Sequence, residues 1–154
     1  MHKLLSVLLL CTIFGKVVLD TVVYNDCGSE YNLNDVDIEG CNKTSCILPK
    51  GKSANINIKL YGRSPDSHTL TQKVFLIFNT INVPLTVIPG DLCASQIECP
   101  VRGTANASFS ALMDFSTLPN VQSAVTLHWR IFNENKEQIM CFKANAKYEN
   151  PKTN

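Results

Sequence analysis

The cysteines are the side chains whose spacing speaks most directly to chemistry. Cys41 and Cys46 are separated by four residues, Cys93 and Cys99 by five, and Cys27 and Cys141 stand apart near the two ends. The seventh, Cys11, lies in an apolar leader and leaves with it. An even set of six in a small secreted chain reads as three disulfides. Six cysteines can pair in many ways, so spacing alone leaves the connectivity open. Two short clips, Cys41–Cys46 and Cys93–Cys99, with one long staple, Cys27–Cys141, make the economical set. Closing nearly the whole chain with that staple is worth roughly 4–5 kcal/mol in the chain-entropy treatment.

Little else points to reactivity. His68 and His128 are the histidines beyond the leader, and no nucleophile or carboxylate stands near either in the sequence. Two histidines without a third ligand do not make a metal site. Asp114, Glu134 and Glu137 lie in polar contexts and read as ordinary surface acids. No H-E-x-x-H, G-x-S-x-G or phosphate-cradling glycine loop occurs. These absences point away from an enzyme, a metal site or a cofactor.

The elements that position the cysteines begin after a secretory signal. His2 and Lys3 precede an apolar run from Leu4 to Phe14, which is too short to span a bilayer. The leader is expected over 1–15, with cleavage as late as Asp20. Two sequons, Asn42-Lys43-Thr44 and Asn106-Ala107-Ser108, fit the same route and mark Asn42 and Asn106 as glycosylation candidates on surface loops. The 154-residue chain carries 14 Lys and Arg against 13 Asp and Glu. Losing Lys3 with the leader brings the balance to zero. No basic run appears, which argues against nucleic acid as a partner and against strong attraction to anionic membranes.

The remaining length suits one all-β domain, 21–148, with a short tail over 149–154. Ile56, Ile58 and Leu60 alternate with polar residues. Val125, Leu127, Trp129 and Ile131 do the same, with Thr126, His128 and Arg130 opposite. Met140, Phe142, Ala144, Ala146 and Tyr148 form the apolar side of a last strand over 138–148. The run 74–78 is apolar throughout, which predicts a strand covered on both faces. Short strands are expected over 21–24 and 31–38. Residues 133–136 read as a hairpin turn. The segment 83–89 is apolar but carries Pro84 and Pro89, so it is expected at an edge or in a loop. Several short strands at this spacing predict an antiparallel sandwich or barrel.

Read together, Asp26-Cys27-Gly28-Ser29, the Cys41/Cys46 pair followed by Leu48-Pro49-Lys50-Gly51, Val83-Pro84, Cys93 with Cys99-Pro100, Trp129 and Cys141-Phe142 resemble the ML (MD-2-related lipid-recognition) domain family. Within it they are most similar to the secreted Niemann-Pick type C cholesterol transporters of the second kind and their arthropod relatives. The resemblance covers nearly all of 21–148. It implies an immunoglobulin-like β-sandwich of two antiparallel sheets with an apolar cavity between them, and the same three bridges. It implies a sterol, fatty acid or related apolar ligand held there, and an extracellular or lysosomal monomer. Carried over by position, the lining is expected from Ile58, Leu76, Val87, Phe115, Leu118, Pro119, Leu127 and Trp129. Leu118 stands where the transporters often have a tyrosine, and Val87 where they often have a phenylalanine. These smaller groups widen the expected ligand class beyond cholesterol. A membrane receptor for ligand hand-off is the expected protein partner. The competing reading is an immune or chemosensory lipid-recognition module that acts with a receptor.

Overall fold

Strict alternation dictates extended strands, because successive side chains of a strand point to opposite faces. The computed structural model describes residues 21–63 and 66–150. The expected leader and residues 151–154 of the expected tail lie outside the described residues. In chain order the strands are β1 (Asn25–Asp26), β2 (Asn32–Ile38), β3 (Ile47–Pro49), β4 (Ser53–Tyr61), β5 (Thr71–Phe78), β6 (Ile81–Ile88), β7 (Asn106–Asp114), β8 (Ser123–Phe132) and β9 (Gln138–Glu149). A 3-10 turn, Leu92–Ala94, is the helical element among the described residues.

The strands form two layers. The first sheet runs β1-β9-β8-β5-β6, with β3 laid parallel beside β9. The second runs β6-β7-β4-β2. Strand β6 joins them: Leu85 and the residues before it pair with β5, and Thr86, Val87 and Ile88 pair with β7. The segment around Pro84 is thus a strand, and it is an edge to each sheet in turn. Edges are where a strand tolerates proline.

Two other expectations change. Residues 21–24 form no strand; Val22 donates one backbone bond to Val36 (3.1 Å), and the strand falls at Asn25–Asp26, beside the Cys27 staple. The run 74–78 is not covered on both faces. Val74 and Leu76 are buried, while Phe75 and Ile77 are half-buried on the outer face. Phe75 packs there against the His128 ring at 6.4 Å, which accounts for a second apolar set on one strand.

The inward residues form one core that holds Ala54, Ile56, Ile58 and Leu60 from β4, Val125, Leu127, Trp129 and Ile131 from β8, and Met140, Phe142, Ala144, Ala146 and Tyr148 from β9. All three expected disulfides are present. The Asp26-Cys27-Gly28-Ser29 motif has a local explanation. Asp26 Oδ1 accepts the N–H groups of Gly28 and Ser29, each at 2.9 Å. Gly28 sits at φ +104, a conformation that side chains rarely adopt. Ser29 Oγ donates to the Cys141 carbonyl (3.1 Å) and accepts the Cys141 N–H (2.9 Å). The motif therefore clamps the chain start to β9 at the staple. The expected 133–136 turn is closed by Asn133, whose Oδ1 accepts the Asn135 and Glu137 N–H groups.

Candidate functional site

The structure brings most of the predicted lining together. Ile58, Leu76, Phe115, Leu127 and Trp129 have no measurable exposure, and Leu118 is 8% exposed. Val87 is partly buried and packs against the same cluster. Pro119 is exposed, one residue beyond the point where the chain leaves the core. Hollows of about 520, 440 and 330 Å³ open at the surface. Of the eight residues only Ile58 borders one of them, and its neighbours there include Asp35, Asp37, Lys59 and Ser110. In this state the residues between the sheets are packed against one another, so a guest must part them.

The two ends of the interior are not closed in the same way. At one end Trp129 stacks on Phe142 with ring planes 6° apart and centroids 6.2 Å apart. Its Nε1 donates to Gln72 Oε1 (3.1 Å), and Gln72 Nε2 donates to the Pro89 carbonyl (2.7 Å). Gln72 is itself buried. The Tyr31 hydroxyl and Ser67 Oγ, both buried, share a bond of 2.8 Å. Buried polar groups that satisfy one another fix an arrangement, because breaking one bond strands its partner. The Cys93–Cys99 clip ties the 3-10 turn that holds buried Leu92 to the chain beyond it.

At the other end lie Phe115, Leu118, Tyr148 and Phe78. Tyr148 meets Phe78 edge-on at 5.9 Å and Phe115 at 6.1 Å. Its hydroxyl accepts the Gly51 N–H at 3.2 Å and donates to the Phe115 carbonyl at 3.5 Å, the limit of a bond. Here β7 has ended at Asp114, and the first half of β6 pairs with β5 alone. A seam without backbone ladder bonds therefore runs between 81–85 and the segment after Asp114. Ile81 (65% exposed) and Val121 (47%) are exposed apolar residues at this end of the first sheet. Ser116 N–H and Oγ both donate to the Asp114 carboxylate (2.9 and 3.0 Å), which holds that acid below the usual range.

Sequence reasoning did not single out Gln72, Tyr148, Phe78 or Leu85 as parts of this site. Gln72 had a signal: it is in phase with Val74 and Leu76, so a polar side chain enters the core there and needs a partner. The seam had none, because it depends on which strand β6 pairs with.

The staple region offers no metal site in its oxidised form. The ligand atoms of Cys27, His128 and Cys141 lie within 4.8 Å of one another, but both sulfurs are committed to their disulfide. His128 Nε2 sits 3.4 Å from Cys141 Sγ. Burial, then the Lys143 and Arg130 charges, hold His128 below the usual histidine range. Asn42 and Asn106 are both exposed. Asn42 Oδ1 accepts the Thr44 hydroxyl and the Thr44 and Ser45 N–H groups within its sequon turn.

Residues 21–148 match the ML domain family. The chain is similar to the NPC intracellular cholesterol transporter 2 of Mus musculus, 26% identical over 145 residues that cover 93% of this chain and 95% of that protein. The zebrafish (Danio rerio) protein of the same name is 26% identical over 144 residues, covering 92% and 94%. Among solved structures, a Niemann-Pick type C2 protein from the Japanese carpenter ant superposes with a TM-score of 0.72 at 22% identity, covering 82% of this chain and 99% of that one. Chicken MD-1 complexed with lipid IVa superposes at 0.56 with 17% identity, covering 84% and 97%.

Proposed function

Because this chain belongs to the ML domain family, we propose that it binds and carries an apolar lipid, a sterol or fatty-acid-like molecule, between its two sheets. The observation that carries this reading is the unladdered seam beside Phe115, Leu118 and Tyr148. It lets a mainly apolar interior open at one end while the other stays bonded. The cholesterol transporters and lipid-bound MD-1 among its likenesses support a ligand of this class.

The physics needs no reacting group. A lipid tail that leaves water gains about 25 cal/mol per Å² of apolar surface buried, and that gain offsets the cost of parting the sheets. Phe115, Leu118 and Val87 form the part of the wall that moves. Ile58, Leu76, Leu127 and Trp129 form the floor. Pro119 stands at the rim. The protein acts by sequestration, without catalysis and without a cofactor.

The finer points belong to the same proposal. The chain is secreted, carries glycans at Asn42 and Asn106, works as a monomer, and passes ligand to a membrane receptor through the exposed part of 83–89. Lipid extracted from the native protein and identified by mass spectrometry tests the central claim, together with displacement of a fluorescent sterol or fatty acid. Saturable binding in either class is expected. No bound lipid and no saturable binding in both classes would overturn it. A partner protein captured only by the loaded form would favour the recognition-module reading.

A further inference from the structure

The near-zero net charge hides an uneven distribution over the two outer faces. Side chains of β5, β8 and β9 that point away from the core form cross-strand rows: Lys73–Arg130–Cys141, Phe75–His128–Lys143, Ile77–Thr126–Asn145 and Ala124–Lys147. These rows contain Lys73, Arg130, Lys143 and Lys147, with no Asp or Glu. The carboxylates at their margins are Asp26, Glu30, Glu134, Glu137 and Glu149. Asp26, Glu134 and Glu137 already accept hydrogen bonds, from Gly28 and Ser29, from His68 and Thr69, and from Asn133. The opposite face reads Asn32–Tyr61–Asn106, Asp35–Lys59–Ser108, Asp37–Asn57–Ser110, Asn55–Leu112–Ile88 and Ser53–Asp114–Thr86, with Glu39 bonded to Asn55. There Lys59 pairs with Asp35 (3.3 Å), while Asp37, Glu39 and Asp114 stand farther along the same face.

Apolar groups are set among the cations of the first face. The Phe132 ring lies under Lys73 Nζ (5.4 Å) and the Arg130 guanidinium (4.7 Å). Phe75 and Ile77 are half-buried. Ile77, Ala124, Thr126 and Asn145 line a shallow hollow of about 380 Å³.

We propose that this basic, aromatic outer face of the first sheet docks flat on a bilayer rich in anionic lipid headgroups. Cations interleaved with aromatic rings suit the headgroup boundary, where ring and ammonium each find a favourable layer. Each Lys or Arg near an anionic leaflet is attracted independently, so a flat array adds up. A second copy of this chain fits less well: its acidic face has Asp35, Asp37 and Glu39 already engaged by Lys59, Asn57 and Asn55, and no aromatic ring stands in its rows but Tyr61. The β5–β6 hairpin links the basic face to the seam, so docking places Ile81 beside the membrane. That last consequence alone rests on the lipid-carrier reading.

The test is co-sedimentation of the intact protein with phosphatidylcholine vesicles, with and without one third phosphatidylserine. Binding to the anionic vesicles alone is expected, lost at high salt. The double variant Lys143→Glu with Lys147→Glu, both exposed positions, is expected to bind at least about tenfold more weakly. Asp37→Lys on the opposite face is expected to bind at least as well as the parent. Displacement of a fluorescent lipid in vesicle-free solution checks folding and the interior site separately, and should be unchanged in all variants. Equal binding to neutral vesicles, or no effect of the double variant, would overturn the proposal. Salt-sensitive self-association in sedimentation velocity, lost in both the double variant and Asp37→Lys without any vesicle binding, would replace it with a second copy as the occupant.

Discussion

The interior has one end locked by buried side-chain hydrogen bonds and one end beside an unladdered seam, and both are built on aromatic rings. Around Trp129 aromatic stacking is supplemented by the Trp129–Gln72–Pro89 chain of hydrogen bonds and the buried Tyr31–Ser67 pair. Around Phe115 the Tyr148 ring meets those of Phe78 and Phe115, and the side-chain hydrogen bonds of these rings come from the Tyr148 hydroxyl alone, beside one backbone bond from the Phe115 N–H to the Lys52 carbonyl (2.9 Å). Apolar contact is non-directional and re-forms against a guest as readily as against the chain. Buried hydrogen bonds are directional and costly to leave unmade. The difference teaches that two ends of similar apolar content differ in polar satisfaction, and the proposed entrance lies at the end with less of it.

The largest test of this contrast is truncation. Trp129→Ala should cost about 3–5 kcal/mol, read as a fall in denaturation midpoint. Leu118→Ala, at the seam, should cost about 2 kcal/mol and shift ligand affinity more than the Trp129 change does per unit of stability lost. If both variants lose equal stability and neither alters displacement of a bound fluorescent lipid, the two ends are not different.

The staple makes a second contrast, with the Cys41–Cys46 clip, which lies near Tyr148. Removing Cys27–Cys141, with its separation of 114 residues, should cost about 4–5 kcal/mol. Removing Cys41–Cys46, with its separation of 5, should cost about 2 kcal/mol. Equal losses in urea unfolding would show that native contacts, and not loop length, set the values.

Smaller changes act on the single bonds. Gln72→Leu strands the Trp129 N–H and should cost about 1–3 kcal/mol while leaving ligand exchange slow. Tyr148→Phe removes the hydroxyl at the seam and should cost about 1 kcal/mol while speeding ligand uptake in stopped-flow fluorescence. Unchanged uptake would place the entrance elsewhere.

The smallest effect is a pH dependence near the staple. Unfolded, His128 takes up a proton near its ordinary value of about 6.5; folded, it does so lower, because of burial and of Lys143 and Arg130. Just below that ordinary value the unfolded chain binds more protons, so stability is full above about pH 6.5 and falls as pH drops through it. His128→Gln should remove this component and flatten the fall in thermal midpoint on acidification. An identical pH profile in parent and variant would assign the fall to other groups.

The alternation of Ile56, Ile58 and Leu60, and of Val125 to Ile131, was enough to assign strands and their inward faces, because period 2 is a property of the extended backbone itself. Cysteine spacing, with the family resemblance, was enough for the bridges. Leu76 was harder: Phe75 and Ile77 blur the alternation, and only their position on an outer face beside His128 resolves it. Residues 83–89 were legible as an edge from their prolines, but that edge is a strand whose partner changes midway.

By itself the sequence determined the β class, the disulfide candidates and the inward faces of the strictly alternating strands, since all of these follow from local pattern and composition. Only the tertiary structure decided that β6 leaves a seam beside Phe115, that Gln72 locks Trp129, and that opposite charges collect on opposite faces. Those facts depend on which strands become neighbours, and pairing between distant segments is written in no single stretch of the chain.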